Sequence, residues 1–164
     1  MLENLKNKNA VWWSYFKEPL FAALFAFLLA AAVGKEPITK FVERFVPVFV
    51  GVPALLFTFS LQLRSSIVSG ISGDFAGWLQ YKKSDLYYLT AALYTVWSGF
   101  VVILLCPILV ATKPPYWGPM VLGLLSLSVV QTFNLSRTSF EVHSLRTTFE
   151  RDMKKEALQG KDPK

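Results

Sequence analysis

The chain has 164 residues, of which 53% are hydrophobic and only 17% are charged, and its formal net charge at pH 7 is +6. A single core of a chain this short cannot bury so many apolar runs, so the composition excludes an ordinary soluble domain and indicates a membrane protein. The basic residues flank the apolar runs, so orientation in a lipid bilayer explains the positive charge without a nucleic-acid partner.

The first apolar run, residues 20–33, is too short to cross a bilayer alone. A helix rises about 1.5 Å per residue and the hydrocarbon core is roughly 30 Å thick. Extending the helix back to Trp12 gives the first predicted span, residues 12–33. The alternative is an interfacial helix over residues 9–16 that bends at Pro19. Basic residues before the run and small residues after it are typical of a signal peptide, but the long aromatic leading segment favours retention.

The second predicted span covers residues 45–63, which read FVPVFVGVPALLFTFSLQL and carry no charge. Pro47 falls in the first turn, where a missing N–H matters little, whereas Pro53 is interior and predicts a kink. Only residues 34–44 separate the first two spans. We therefore expect these two spans to form an antiparallel hairpin.

The third and fourth predicted spans cover residues 86–110 and 120–135. Tyr87 and Tyr88 open the third span, and Trp117 lies in the turn KPPYWGP before the fourth. Aromatic side chains of this kind concentrate at the membrane interface. These features predict a second pair of antiparallel helices joined by a tight turn.

Basic residues near the spans predict the orientation of the protein. If the chain crosses the membrane four times, both termini lie on the same side. Eleven Lys and Arg residues near the spans then lie on that side, and four lie on the opposite side. The eleven are Lys6, Lys8, Lys17, Arg64, Lys82, Lys83, Arg137, Arg146, Arg151, Lys154 and Lys155, and the four are Lys35, Lys40, Arg44 and Lys113. By the positive-inside rule, we expect an integral protein of a bacterial inner membrane with both termini in the cytoplasm.

The segment between the second and third spans, residues 64–81, predicts a cytoplasmic amphipathic helix with two distinct faces. One face is apolar, and the other is almost without side-chain bulk. The small face consists of Ser66, Gly70, Gly73 and Gly77. Such a face is typical of close helix packing. The alternative interpretation makes the segment the mouth of a pore, with Arg64 and Asp74 as charged guards.

Polar side chains accumulate in the cytoplasmic half of the fourth span, chiefly Ser128, Gln131 and Asn134. Buried amides in lipid need partners, so hydrogen bonding between helices is the first interpretation and pore lining is the second. No charged residue or His occupies the middle of a predicted span. Proton relays and ion-coupled carriers place such groups there, so the sequence argues against a pump or a secondary transporter.

The tail, residues 136–164, predicts a second amphipathic helix that continues the fourth span and ends at Gly160. Its apolar residues recur at spacings of three and four, among mixed charges. The predicted partner-binding residues are Val142, Leu145, Phe149, Arg151, Met153, Lys154 and Lys155. Four occupants fit this stripe: a second copy of the chain, the segment 64–81, a soluble protein or the lipid surface.

No catalytic, metal or cofactor signature is present. Cys106 is the only cysteine, which excludes an intramolecular disulfide and a cysteine-based metal site. His143 is the only histidine, and the acidic residues of the tail cluster among basic ones, so no catalytic triad can be assigned. We expect a protein that is not an enzyme and needs no cofactor. An enzyme that acts on lipid is an alternative, but no nucleophile can be named for it.

The predicted fold is an all-α membrane protein with four transmembrane helices and two cytoplasmic amphipathic helices. Residues 1–135 form the bundle and residues 136–164 the tail. We expect a homo-oligomer. The small face and the polar side chains of the fourth span offer more packing surface and more hydrogen-bonding groups than one small bundle needs.

The predicted function is a non-enzymatic anchoring or sensing subunit that couples a soluble cytosolic partner to the membrane. The alternative function is a small oligomeric ion channel or membrane-perturbing pore. In architecture alone, the chain is similar to small membrane subunits of bacterial antiphage systems such as Kiwa, and equally to other small inner-membrane proteins. That similarity implies a place in bacterial defence or signalling.

Overall fold

The protein is helical throughout the part that the structure describes. A computed structural model describes the backbone of residues 2–82 and 84–159, and the side chains of residues 17–82 and 84–155. Within these ranges the elements are α1 (Leu2–Val33), α2 (Lys35–Arg44), α3 (Val46–Gly70), α4 (Gly73–Tyr81), α5 (Asp85–Thr112) and α6 (Trp117–Gln159). The all-α prediction is confirmed.

Three helices are long and apolar enough to cross a membrane: α3, α5 and the Trp117–Lys155 part of α6. The Lys17–Val33 part of α1 meets the same test only together with α2, from which it is bent by 109°. The count is therefore three, or four if the bent pair is one span. The prediction of four spans plus two separate amphipathic helices is wrong. The three apolar helices support the broader prediction of a membrane protein.

The bend between α1 and α2 lies at Gly34, which has a φ of 88° and a ψ of 153°. Residues with a Cβ rarely adopt this conformation, and Pro37 then suits the first turn of a new helix. The helix α2 was not predicted, because residues 34–44 were interpreted as a connection. Its buried residues, Ile38 and Val42, are four apart and so share one face.

The predicted amphipathic helix over residues 64–81 is divided in two. Helix α3 continues to Gly70, and only Gly73–Tyr81 forms a separate helix. Gly73 has a positive φ of 58°, a conformation that glycine adopts without strain and that interrupts the helix. The predicted tail helix, in contrast, continues the fourth span without a break, because α6 runs from Trp117 to Gln159.

Helix α6 is the centre of the bundle, and α1, α2, α3 and α5 all pack against it. The expected direct hairpin of the first two spans is wrong: α1 packs mainly against α6, and α3 packs against α5 and α6. The amphipathic helix α2 separates the two spans, and its apolar face is buried against the start of α6.

Two hydrophobic clusters mark the ends of the bundle. The turn end, which holds the α1–α2 bend and the α5–α6 turn, is built on Ile38, Val42, Phe49, Trp117 and Val121. The tail end, where α4 and the second half of α6 lie, is built on Ile67, Phe75, Leu79, Ala92, Leu135 and Val142.

Between the two ends, large apolar side chains point outward. Phe21 is 67% exposed, Leu55 72%, Trp97 62% and Phe133 72%. Exposure of so many large apolar groups fits contact with lipid and not with water.

Candidate functional site

Polar side chains of α6 join the helices of the tail-end half. Gln131 is 1% exposed, and its Oε1 accepts a hydrogen bond of 2.7 Å from Ser98 Oγ of α5. Thr132 Oγ1 lies 3.2 Å from Ser60 Oγ of α3. Ser128 is buried as well. These bonds connect helices of one chain. They therefore agree with hydrogen bonding between helices, the first interpretation of these polar residues, and not with pore lining, the second.

Glu18 of α1 is the carboxylate of this polar region. Asn134 Nδ2 of α6 donates a hydrogen bond to Glu18 Oε1. Gln131 Nε2 is buried and makes no hydrogen bond of good geometry among the described side chains. The sequence did not single out Glu18 as a site residue, because its partner Asn134 lies 116 residues away.

A cavity of about 240 Å³, the polar pocket, opens between α1, α5 and α6 at the tail end. Its lining is polar and contains two cations and two anions. The lining residues are Lys17, Glu18, Tyr87, Ala91, Tyr94, Thr95, Asn134, Leu135, Arg137, Thr138 and Glu141. Arg137 Nε lies 3.0 Å from Glu141 Oε1, one turn further along α6, and the Arg137 side chain is 75% exposed. The pocket therefore has a charged rim.

The first half of the predicted partner-binding stripe packs inside the chain. Val142 is fully buried, and a Cβ added to Gly70 of α3 would stand 3.3 Å from Val142 Cγ1. The Phe149 ring lies 5.7 Å from Phe75 and 5.8 Å from Trp78 of α4. Of the four occupants considered, the segment 64–81 covers Val142, Leu145 and Phe149.

Two polar contacts hold α6 to the end of α3. Ser66 Oγ lies 2.9 Å from His143 Nε2, and Arg146 donates a hydrogen bond of 3.4 Å to the Gly70 carbonyl oxygen. Beyond this contact, α6 projects with four exposed side chains of the predicted surface: Arg151, Met153, Lys154 and Lys155. The predicted stripe is thus divided into an occupied part and an open part.

The predicted small face is also divided. Gly70 and Ser66 face α6, whereas a Cβ added to Gly73 or Gly77 would meet no atom within 4 Å. Arg64 is half-buried and Asp74 is exposed. The two predicted guards form no ion pair with each other in the structure.

Comparisons with family models, curated proteins and solved structures return no match for the chain. Among the side chains of residues 17–82 and 84–155, no group of three His, Cys, Asp or Glu could hold a metal ion. Cys106 is buried within α5. The polar pocket and the projecting end of α6 are therefore the two candidate sites.

Proposed function

We propose that the protein is a non-enzymatic anchoring or sensing subunit of a bacterial inner membrane, which couples a soluble cytosolic partner to the bilayer. One observation carries the proposal: the central helix of the bundle, α6, continues as the same helix to the exposed end at Arg151–Lys155. Because the helix is continuous, a shift of the bundle moves the docking end with it. The basic residues near the spans favour a cytoplasmic end of α6, and with α1 and α2 counted as a fourth span both termini lie on that side.

The docking surface is the projecting end of α6. Arg151, Lys154 and Lys155 are exposed, and Met153 is 47% exposed among them. Asp152 is exposed on the same end, so the charges are mixed with a basic excess. A surface of this kind with one flexible apolar side chain suits a partner that presents acidic residues around an apolar patch. The pore alternative has weaker support, because Gln131 and Asn134 already bond to other helices of the same chain.

Charge reversal at the projecting end tests this function. We expect Arg151→Glu, Lys154→Glu and Lys155→Glu together to reduce a co-purifying cytosolic protein by about tenfold or more, since opposed charges become like charges. Quantitative mass spectrometry of pull-downs from the native host measures the effect. Truncation after Arg137 is less informative, because it also removes Val142 and Phe149, which pack against α3 and α4.

The matched control reverses three basic residues on α2 at the turn end: Lys35, Lys40 and Arg44. This variant changes the net charge equally, and it should retain the cytosolic protein at the wild-type level. Equal retention by both triple variants would exclude the end of α6 as the docking surface. Ion release from liposomes that contain only the pure protein would favour the pore.

The open part of the small face supports self-association. A Cβ on Gly77 would meet nothing within 4 Å in one chain, so Gly77→Leu should leave the monomer fold intact. If this face packs against a second copy, the same change should shift native mass spectra in mild detergent from oligomer to monomer. Gln80→Leu, on another exposed position of α4, is the control and should leave the oligomer unchanged. A wild-type protein that is already monomeric in several mild detergents would contradict self-association.

A further inference from the structure

We propose that the polar pocket binds the headgroup of a zwitterionic phospholipid that carries a primary ammonium group, as phosphatidylethanolamine does. The pocket lies where the apolar parts of α5 and α6 give way to charged residues, between Asp85 and Arg137. Lipid headgroups occupy this level of a bilayer. The proposal is independent of the cytosolic partner, because the pocket and the projecting end of α6 share no residue.

The charges of the lining match a zwitterion. Lys17 offers donors to a phosphate, and so does Arg137, which uses only Nε in its ion pair with Glu141. Glu18 and Glu141 each use Oε1 in a bond within the protein, so their second carboxylate oxygens are the acceptors for an ammonium group. Two cations and two anions leave the lining neutral, so a ligand without net charge preserves the balance. An anionic lipid would add an uncompensated negative charge beside two carboxylates.

The volume of the pocket also suits a headgroup. The cavity of about 240 Å³ is smaller than the roughly 300–1,000 Å³ of sites that enclose drug-sized ligands, so it suits a small polar group such as a headgroup. The cavity is too small for acyl chains, which must leave it.

An apolar path leads away from the pocket along α5. Tyr87, Ala91 and Tyr94 line the pocket at helical spacing. Beyond Ser98, which bonds Gln131, the same face of α5 continues toward the turn end with Val101 and Leu105. Val101 is 47% exposed and Leu105 40% exposed. On the facing helix α1, Phe21 and Phe25 follow the pocket residue Glu18 at spacings of three and seven, and both are exposed. Acyl chains that follow this path would remain in the hydrocarbon layer while the headgroup stays in the pocket.

Lipid retention measured by native mass spectrometry tests the proposal. The full chain is reconstituted in vesicles of equal phosphatidylethanolamine and phosphatidylglycerol, then released into a mild detergent. We expect wild-type protein to retain phosphatidylethanolamine preferentially. Glu141→Gln should weaken this retention about tenfold, because it removes a charged acceptor.

The chain offers a matched control for this variant. Arg146 and Glu150 repeat the ion pair of Arg137 and Glu141 on the same helix, with the same spacing and the same 3.0 Å distance, but outside the pocket. Glu150→Gln should therefore retain phosphatidylethanolamine at the wild-type level. Ala91→Phe fills the pocket without changing charge and should also reduce retention, so it decides the question if Glu141→Gln fails to fold.

Two results would overturn the proposal. The first is equal retention of phosphatidylethanolamine by wild-type protein and by folded pocket variants, which would mean that bound lipid is only the surrounding annulus. The second is preferential retention of phosphatidylglycerol, which would show that the lining selects an anion. Thermal unfolding followed by circular dichroism establishes that each variant is folded.

Discussion

Gly118→Ala is expected to destabilise the bundle by about 1–3 kcal/mol, more than the same change at the other described helical glycines. A Cβ at Gly118 would stand 2.7 Å from both Cα and Oγ1 of Thr39 in α2. A backbone atom cannot rotate away, so α2 must lift from α6. This movement would expose Ile38 and Val42, which belong to the turn-end cluster.

Gly51→Ala is the control for this change. Gly51 lies within α3, and an added Cβ would meet nothing within 4 Å. Alanine is the better helix former by about 0.5–1 kcal/mol, so this variant should be as stable as the wild type or slightly more stable. Thermal unfolding of the purified protein in detergent compares the two. Equal melting temperatures for both variants would show that α2 does not pack on α6 this closely.

Val142→Asp is expected to detach the tail of α6 from α3, at a cost of about 3–5 kcal/mol for an unpaired buried charge. Val142 is fully buried in the tail-end cluster, beside Ile67 and Leu135. Once the tail moves away, the bond between Ser66 and His143 is lost as well. Limited proteolysis should cut the tail faster, while the helices at the turn end stay protected.

Ser144→Asp adds the same charge two residues later, at an exposed position of the same helix. We expect this control to melt at the wild-type temperature and to resist proteolysis equally. If Val142→Asp matches the control in both measurements, the contact between α6 and the end of α3 does not form in the membrane.

The apolar runs made most of the bundle predictable from the sequence. The predicted spans 45–63, 86–110 and 120–135 fall close to or within α3, α5 and α6, because long uncharged runs have few alternatives to a helix in lipid. Helix α2 was missed, although Ile38 and Val42 at a spacing of four were visible beside charged residues. The short connection favoured a direct hairpin of the first two spans, whereas residues 35–44 form a helix that packs on α6.

The candidate sites were predictable only in part. The sequence identified Gln131 and Asn134 as polar groups that need partners. Their partners Ser98 and Glu18 lie 33 and 116 residues away, so only packing of the helices reveals them. The same limit applies to the tail stripe, whose periodicity predicted an apolar face. The division between an occupied part and an open part depends on where α4 folds back.

Site-directed labelling of single cysteines tests the central claim, that lipid surrounds the bundle and the end of α6 lies in the cytoplasm. Cys106 is the only native cysteine, so Cys106→Ala gives a cysteine-free background. In intact spheroplasts, a membrane-impermeant maleimide should label Lys40→Cys on α2 at once and Lys154→Cys on α6 only after permeabilisation. Labelling of Lys154→Cys in intact spheroplasts at the rate of Lys40→Cys would contradict the account.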